Sequence, residues 1–434
     1  MSKKRMNGDN GSGERSGSGK GLWQGLVVRS GMVTMTLLVV ALLVAAIVWR
    51  SHTKGQFGRL KRELKGGETA AAPVLPPPGG QDPVLLERSP LEGGSIPEFI
   101  AATLLPGRGM GLLQIKALIP GKGEVNLLDG PSLTDAEAML TGEGADAAGA
   151  ESLKLGGVLE VPWAGSIYGA PKDDAEITTA WEGHPLSLPA VRGKSSLEAD
   201  GGLLLKMASK SSQMNVMPDG GETSVTYSAG NFDGRWPSEM EVTTTAQLSG
   251  HSFEMKVLAR NTGDEPTPVG IGWEPRFAVL GEHRSNLLLY LSSASRLEKN
   301  ARTGEPTGKL IPVAGTPYDF STRPGVQIDG ADLDETFVAL RQAPLDNGPV
   351  VELRNPGADY GLRLTLLSPT IKAVHVTAPR AGHFVSIAPR FNYDDPFGRE
   401  WSRGTDTGMV VLRPGQSTQW RVRVELFSLS AKKF

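Results

Sequence analysis

Nineteen consecutive residues, Gly31 to Trp49 (GMVTMTLLVVALLVAAIVW), carry no charge. At about 1.5 Å rise per residue, a helix of this length covers roughly 28 Å, close to the hydrocarbon thickness of a bilayer. The run is apolar on every face and is bounded by Arg29 and Arg50, which argues against a core helix. It exceeds the roughly 7–15 residues of a signal-peptide apolar region, and Ile47-Val48-Trp49-Arg50 is a poor cleavage site. We therefore expect an uncleaved signal anchor, with the lipid bilayer around residues 31–49. Six Lys or Arg precede the span and six follow within sixteen residues, so flanking charge does not set the orientation. A short polar tail before the span and a long body after it match a single-pass membrane protein. On that layout the large C-terminal domain is extracytoplasmic, periplasmic if bacterial.

The span also divides the charge. Residues 1–65 hold twelve basic and three acidic residues, a charge of +9. The remaining 33 basic and 44 acidic residues give −11. An acidic body is a poor binder of polyanions, so nucleic acid is not expected as a partner. The basic flanks suit lipid headgroups instead. The chain has no cysteine, which removes disulfides, zinc-thiolate sites, iron–sulfur clusters and thiol nucleophiles together.

Four segments follow: a disordered basic tail (1–30), the transmembrane helix (31–49), a basic and Pro-rich linker (50–83), and a folded body (84–431). The body reads as mainly β. In Glu239–Leu248 the residues Met240, Val242, Thr244, Ala246 and Leu248 alternate with polar ones, and Gln419–Phe427 repeats the pattern with Trp420, Val422, Val424 and Leu426. A period of two sends the two sets to opposite faces of a strand. His251–Arg260 and Gly361–Leu367 are similar short runs, and turn signals such as Asn261-Thr262-Gly263-Asp264 and Arg413-Pro414-Gly415 punctuate the chain. Thr134 and Glu137 have capping-box spacing for one short helix over Thr134–Leu140. Many short strands in about 350 residues predict a large sandwich.

Generic chemistry motifs are weak. Gly107-Arg108-Gly109-Met110-Gly111 lacks the Lys-Ser/Thr of a phosphate loop and reads as a turn. No histidine pair has the i, i+4 spacing of a helical zinc site, and His375 and His383 read as structural residues on neighbouring strands. Asp394-Asp395 reads as a loop acid pair, solvated or calcium-binding. No metal or cofactor is implied.

Several ordered segments are similar to the aldose 1-epimerase (galactose mutarotase) family. They are Gly156–Gly169 (GGVLEVPWAGSIYG), Asn261–Phe277 (NTGDEPTPVGIGWEPRF), Gly315–Phe320 (GTPYDF) with Leu333–Phe337 (LDETF), Ser386–Arg390 (SIAPR), and Val411–Gln416 (VLRPGQ). They resemble the family's G-G-x-x-x-x-P-x-x-N-R-I-x-x-G, N-x-G-D-x-P-x-P-x-x-x-x-x-H-P-Y-F, T-P-x-D-F with x-D-x-x-F, C-I-E-P-Q and L-x-P-G-E. The resemblance implies a galactose mutarotase-like β-supersandwich that binds a saccharide, preceded here by the transmembrane helix. It also implies a Glu base and a His acid. Position by position, the base falls on Ala388, the acid on Glu274, the Asn-Arg pair on Gly165 and Ser166, and a second His near Ser187. The hydroxyl-binding Asp is retained as Asp334.

Opening a pyranose needs a base for the anomeric proton and an acid for the ring oxygen, each contributing roughly 10²–10⁴ in rate. With both substituted, the expected function is carbohydrate binding without epimerisation. An active epimerase with a rearranged acid–base pair and an envelope protein–protein interaction module are the alternatives. Candidate binding residues are Asp334 and Glu274 for sugar hydroxyls, with Arg276 or Arg390 as ion-pair partners for Glu274. Trp163, Trp273 and Trp236 are candidates to stack on a pyranose face. Arg390, in place of the family's Gln, favours a uronate, because a guanidinium fork matches a carboxylate.

Overall fold

The computed structural model describes residues 77–430 except 92–93, 193–196, 282 and 329–331. The expected tail, the membrane span and most of the linker lie outside the described residues. Among the described residues no helix is long and apolar enough to cross a membrane.

Two large antiparallel sheets, of eleven and nine strands, make the body. The four strands legible in the sequence occur as Met240–Leu248, Ser252–Asn261, Tyr360–Leu366 and Ser417–Ser428. They stand side by side in the nine-stranded sheet, with Ser417–Ser428 between Ser252–Asn261 and Tyr360–Leu366. Their apolar sets, such as Val242, Met255, Leu364 and Val422, are buried. Their polar sets face outward, where Glu254 binds Arg421 and Arg423.

The eleven-stranded sheet contributes Gly157–Glu160, Gly272–Ala278, Phe384–Arg390, Ala373–Ala378, Leu333–Leu340 and Ser293–Lys299, in that lateral order. Its apolar face meets the other sheet. Trp273 sits there, with Phe253 of the nine-stranded sheet at 6.1 Å and Trp420 edge-on at 6.4 Å between ring centroids. Trp420 Nε1 donates to the Pro389 carbonyl at 3.2 Å, tying one sheet to the other.

The helix runs Leu133–Met139, and its cap is Ser132 rather than Thr134. The Ser132 hydroxyl accepts from the Asp135 N–H and donates to the Asp135 carboxylate, so the cap sits two residues earlier than the capping-box spacing suggests. The turn Pro78–Gly80 precedes the expected start of the body; Pro78 is buried and the Gln81 amide brackets Ser209.

Trp273 fills the joint between the sheets, so Trp273→Ala should lower the unfolding free energy by about 3–5 kcal/mol. Urea denaturation should show a lower midpoint at an unchanged slope.

Candidate functional site

The other face of the eleven-stranded sheet is polar. Register puts Gly272 opposite both Glu160 and Arg390, and Arg276 opposite Ser386, which leaves Glu274 beside Ala388. Ala388 pairs in turn with His375, and His375 with Thr336. Thr377 pairs with Ser386 and Asp334. Alternation along each strand then sends Glu160, Glu274, Ser386, Arg390, His375, Thr336 and Asp334 to one face.

Arg390 organises that face. Its guanidinium is enclosed and meets three carboxylates: Asp394 Oδ1 at 3.0 Å from Nη1, Glu274 Oε2 at 3.3 Å from Nη2, and Glu160 Oε2 at 3.4 Å from Nε. Space for it comes from two glycines. A Cβ on Gly272 would press on the Glu160 carboxylate and the Arg390 side chain. A Cβ on Gly165, whose φ is 70°, would collide with Arg390 Nη1 and Asp394 Oδ1. The arginine head therefore stands where a side chain at 165 would begin.

One cation does not balance this many acids. Burial pushes the Glu160 carboxyl up to about 8, against the pull of Arg390. Asp200, partly exposed at the edge of the cluster, is pushed up to about 7 by burial and by the charge of Glu274. Asp394 is equally enclosed, but Lys299, Arg390 and His375 overcome its burial and hold it down at about 2. The cluster thus stores protons on some carboxyls and keeps another ionised.

A second chain of bonds joins Asp394 to the rim. Thr336 Oγ1 donates to Asp394 Oδ2 at 2.7 Å, so it accepts from His375 Nδ1 at 2.9 Å. That places a proton on His375 Nδ1. His375 Nε2 faces Thr377 Oγ1 at 2.9 Å and Asp334 Oδ1 at 3.3 Å. Lys299 Nζ lies 3.3 Å from Asp334 Oδ1. Asp334 is 42% exposed at the side chain and Glu274 29%, so both reach solvent over an enclosed floor.

The structure brings Glu274, Arg390 and Asp334 to one face. Arg276 is at its border, bound to Asp129 at 3.1 Å and stacked on Phe384. Trp273 and Trp163 require a correction. Both are fully buried; Trp273 points away from Glu274 into the inter-sheet core, and Trp163 stacks on the buried Trp236 at 5.4 Å. None of the three rings presents a face to a sugar. The uronate expectation for Arg390 is corrected too, since both Nη atoms are already engaged by carboxylates. Asp394 and Asp395 are buried rather than solvated, and Asp395 accepts from the Tyr168 N–H at 3.1 Å. Among the described residues no group of three or more acids, histidines or cysteines is placed to hold a metal ion.

Sequence reasoning passed over Glu160, Asp200 and Lys299, and read Asp394 as a loop acid and His375 as a structural residue. The available signal was Arg390 itself: an arginine replacing a neutral residue in an apolar strand must draw carboxylates to it.

A sequence model of the aldose 1-epimerase family matches residues 148–425. No curated protein matches the chain in sequence. Among solved structures the chain is similar to a galactose mutarotase-like protein from Clostridium acetobutylicum, at 14% identity and a TM-score of 0.62 over 79% of this chain and 98% of the other. It is similar to an aldose epimerase homologue from C. elegans, at 17% identity and 0.56 over 76% and 96%. It is also similar to galactose 1-epimerase from Lactobacillus acidophilus, at 15% identity and 0.52 over 80% and 98%. At these identities the likeness is one of fold, the galactose mutarotase-like sandwich.

The raised Glu160 carboxyl gives a pH dependence with a definite sign. Between about 4.5 and about 8 the native protein holds a proton that the unfolded chain has released, so this contribution is complete below about 4.5 and is lost as pH rises toward 8. The melting temperature should fall between pH 5 and pH 8.5, and Glu160→Gln should flatten that fall in thermal scans.

Proposed function

The chain belongs to the aldose 1-epimerase family, and we propose that it is a saccharide-binding member that does not epimerise its ligand. One observation carries the reading. At the position the family resemblance assigns to the base stands Ala388, fully buried in the floor of the polar face, and Glu274 at the acid position is bound to Arg390. A methyl group takes no proton, and a carboxylate paired with a guanidinium is a poor donor to a ring oxygen. Glu274 and Asp334, which reach solvent, are left to accept hydrogen bonds from sugar hydroxyls, with Lys299 beside Asp334. We further propose that residues 31–49 anchor this domain in a membrane with the body outside the cytoplasm, so that the saccharide is one met at the cell envelope.

A second reading has one specific support. His375 pairs with Ala388 on the adjacent strand, and its Nε2 faces Asp334. An imidazole so placed would serve as a substitute base, giving an active epimerase with a rearranged pair.

Polarimetry of freshly dissolved α-galactose and α-glucose separates the two. We expect the full chain to leave the rate at that of buffer. Acceleration that disappears in His375→Ala would overturn the binding-only reading in favour of the second.

A further inference from the structure

The nine-stranded sheet ends on an unguarded strand. Ser211–Met217 (SSQMNVM) pairs on one side with Gly220–Gly230, and among the described residues no strand lies beyond its other side. Edge strands usually carry a charge, a proline or a bulge that keeps another strand from joining. These seven residues include no charge and no proline, and their pairing runs from Ser211 opposite Thr226 to Met217 opposite Gly220 without a break. Every one of them is exposed.

The exposure extends to the face that elsewhere in this sheet is dry. Residues opposite each other in a ladder share a face. Val225, Thr223 and Gly221 are buried on the inner face, and they stand opposite Ser212, Met214 and Val216. Met214 is nevertheless 54% exposed and Val216 84%. The cause lies in the facing eleven-stranded sheet. Its edge strand, Val84–Glu87, reaches Gly221, where a Cβ would lie 3.3 Å from Leu86 Cδ2. Met214 and Val216, one strand further out, overhang that edge.

We infer that this overhanging strand is the contact through which two copies of the chain associate, edge to edge and antiparallel. The inference is independent of the saccharide reading. An unpaired edge accepts the main chain of another strand. Charge selects the chain's own strand. An isologous contact sets one surface against itself, and a neutral strand meets itself without opposing like charges. Lys210 precedes the strand and Asp219 follows it; both are exposed, although Asp219 also binds Arg88. Antiparallel copies therefore bring the cation of each near the anion of the other. The apolar residues set the register. A two-fold axis through Asn215 places Met214 of each copy opposite Val216 of the other on the inner face. The four side chains then cover one another in the space between the two shorter sheets.

The test uses the full chain in density-matched detergent. Sedimentation equilibrium should give a dimer. Met214→Lys with Val216→Lys, which supplies the charge an edge normally carries, should raise the dimer dissociation constant about tenfold or more. Both side chains are exposed, so the melting temperature should not move. A monomeric wild type, or a double variant that dimerises as the wild type does, would overturn the inference. The absence of cysteine from the chain allows a second measurement. Asn215→Cys should be joined to its copy by a short bismaleimide, whereas Leu345→Cys, on an exposed side chain elsewhere, should not. Equal crosslinking at the two positions, or none at 215, overturns this contact even where a dimer is present.

Discussion

A guanidinium enclosed in protein has to bring its own anions, and Arg390 brings them from three directions. Glu160 comes from the strand two places away in the sheet, Glu274 from the adjacent strand, and Asp394 from the segment that follows Arg390 itself. Through Asp394 the same charge reaches Thr336, His375 and the Asp334 rim. The loop is fastened further by Trp401 Nε1, which donates to the Asp395 carbonyl at 2.7 Å. The geometry of the whole polar face therefore follows from where one cation sits.

Such a cluster is not a cheap source of stability. Desolvating several charges can cost as much as their attraction returns, and an apolar replacement of equal volume is often as stable. What the cluster supplies is position. Gly165 and Gly272 belong to the same device, since a side chain at either would occupy the space of Arg390 or its partners. Gly165 and Arg390 are thus coupled, since a side chain at 165 would begin where the guanidinium stands. They are some 225 residues apart in the chain and in contact in space.

The nine-stranded sheet was readable in advance because its strands have one dry face and one wet face. Along Met240–Leu248 and Ser417–Ser428, burial alternates as the residue types do, which is the condition under which period two shows in a sequence. The site strands do not meet that condition. In Phe384–Arg390 every residue after Phe384 is buried, because the core covers one face and the loop after Arg390, with the segment around Gly165, covers the other. There Ser386, Ala388 and Arg390 look like interruptions in an apolar run. The resemblance to a family singled out Ala388, Glu274 and Asp334 when periodicity did not, but left open whether Glu274 and Asp334 share a pocket; the register puts them on one face, three strands apart. The resemblance carried no information on Glu160 or Asp394, whose roles exist only because Arg390 does. The tryptophans were misjudged for a related reason: Trp273 is adjacent in sequence to Glu274, and adjacency along a strand means opposite faces.

Acid–base catalysis needs two groups whose proton affinities are pushed apart and which both reach the reacting atoms. The first condition is met in this cluster, with Glu160 held up near 8 and Asp394 held down near 2. The second is not, because both carboxyls lie beneath the surface. The acids that do reach solvent, Glu274 and Asp334, are each set against a cation, Arg390 and Lys299. Glu160, held near neutrality, is therefore at the wrong depth, Asp200 is partly exposed but stands at the edge of the cluster, and Glu274 and Asp334 are committed to charge pairs. A face built in this way can still order the hydroxyls of a sugar, since a paired carboxylate keeps lone pairs to accept with. On the function proposed above, that asymmetry, accepting without exchanging protons, is what would separate binding from turnover.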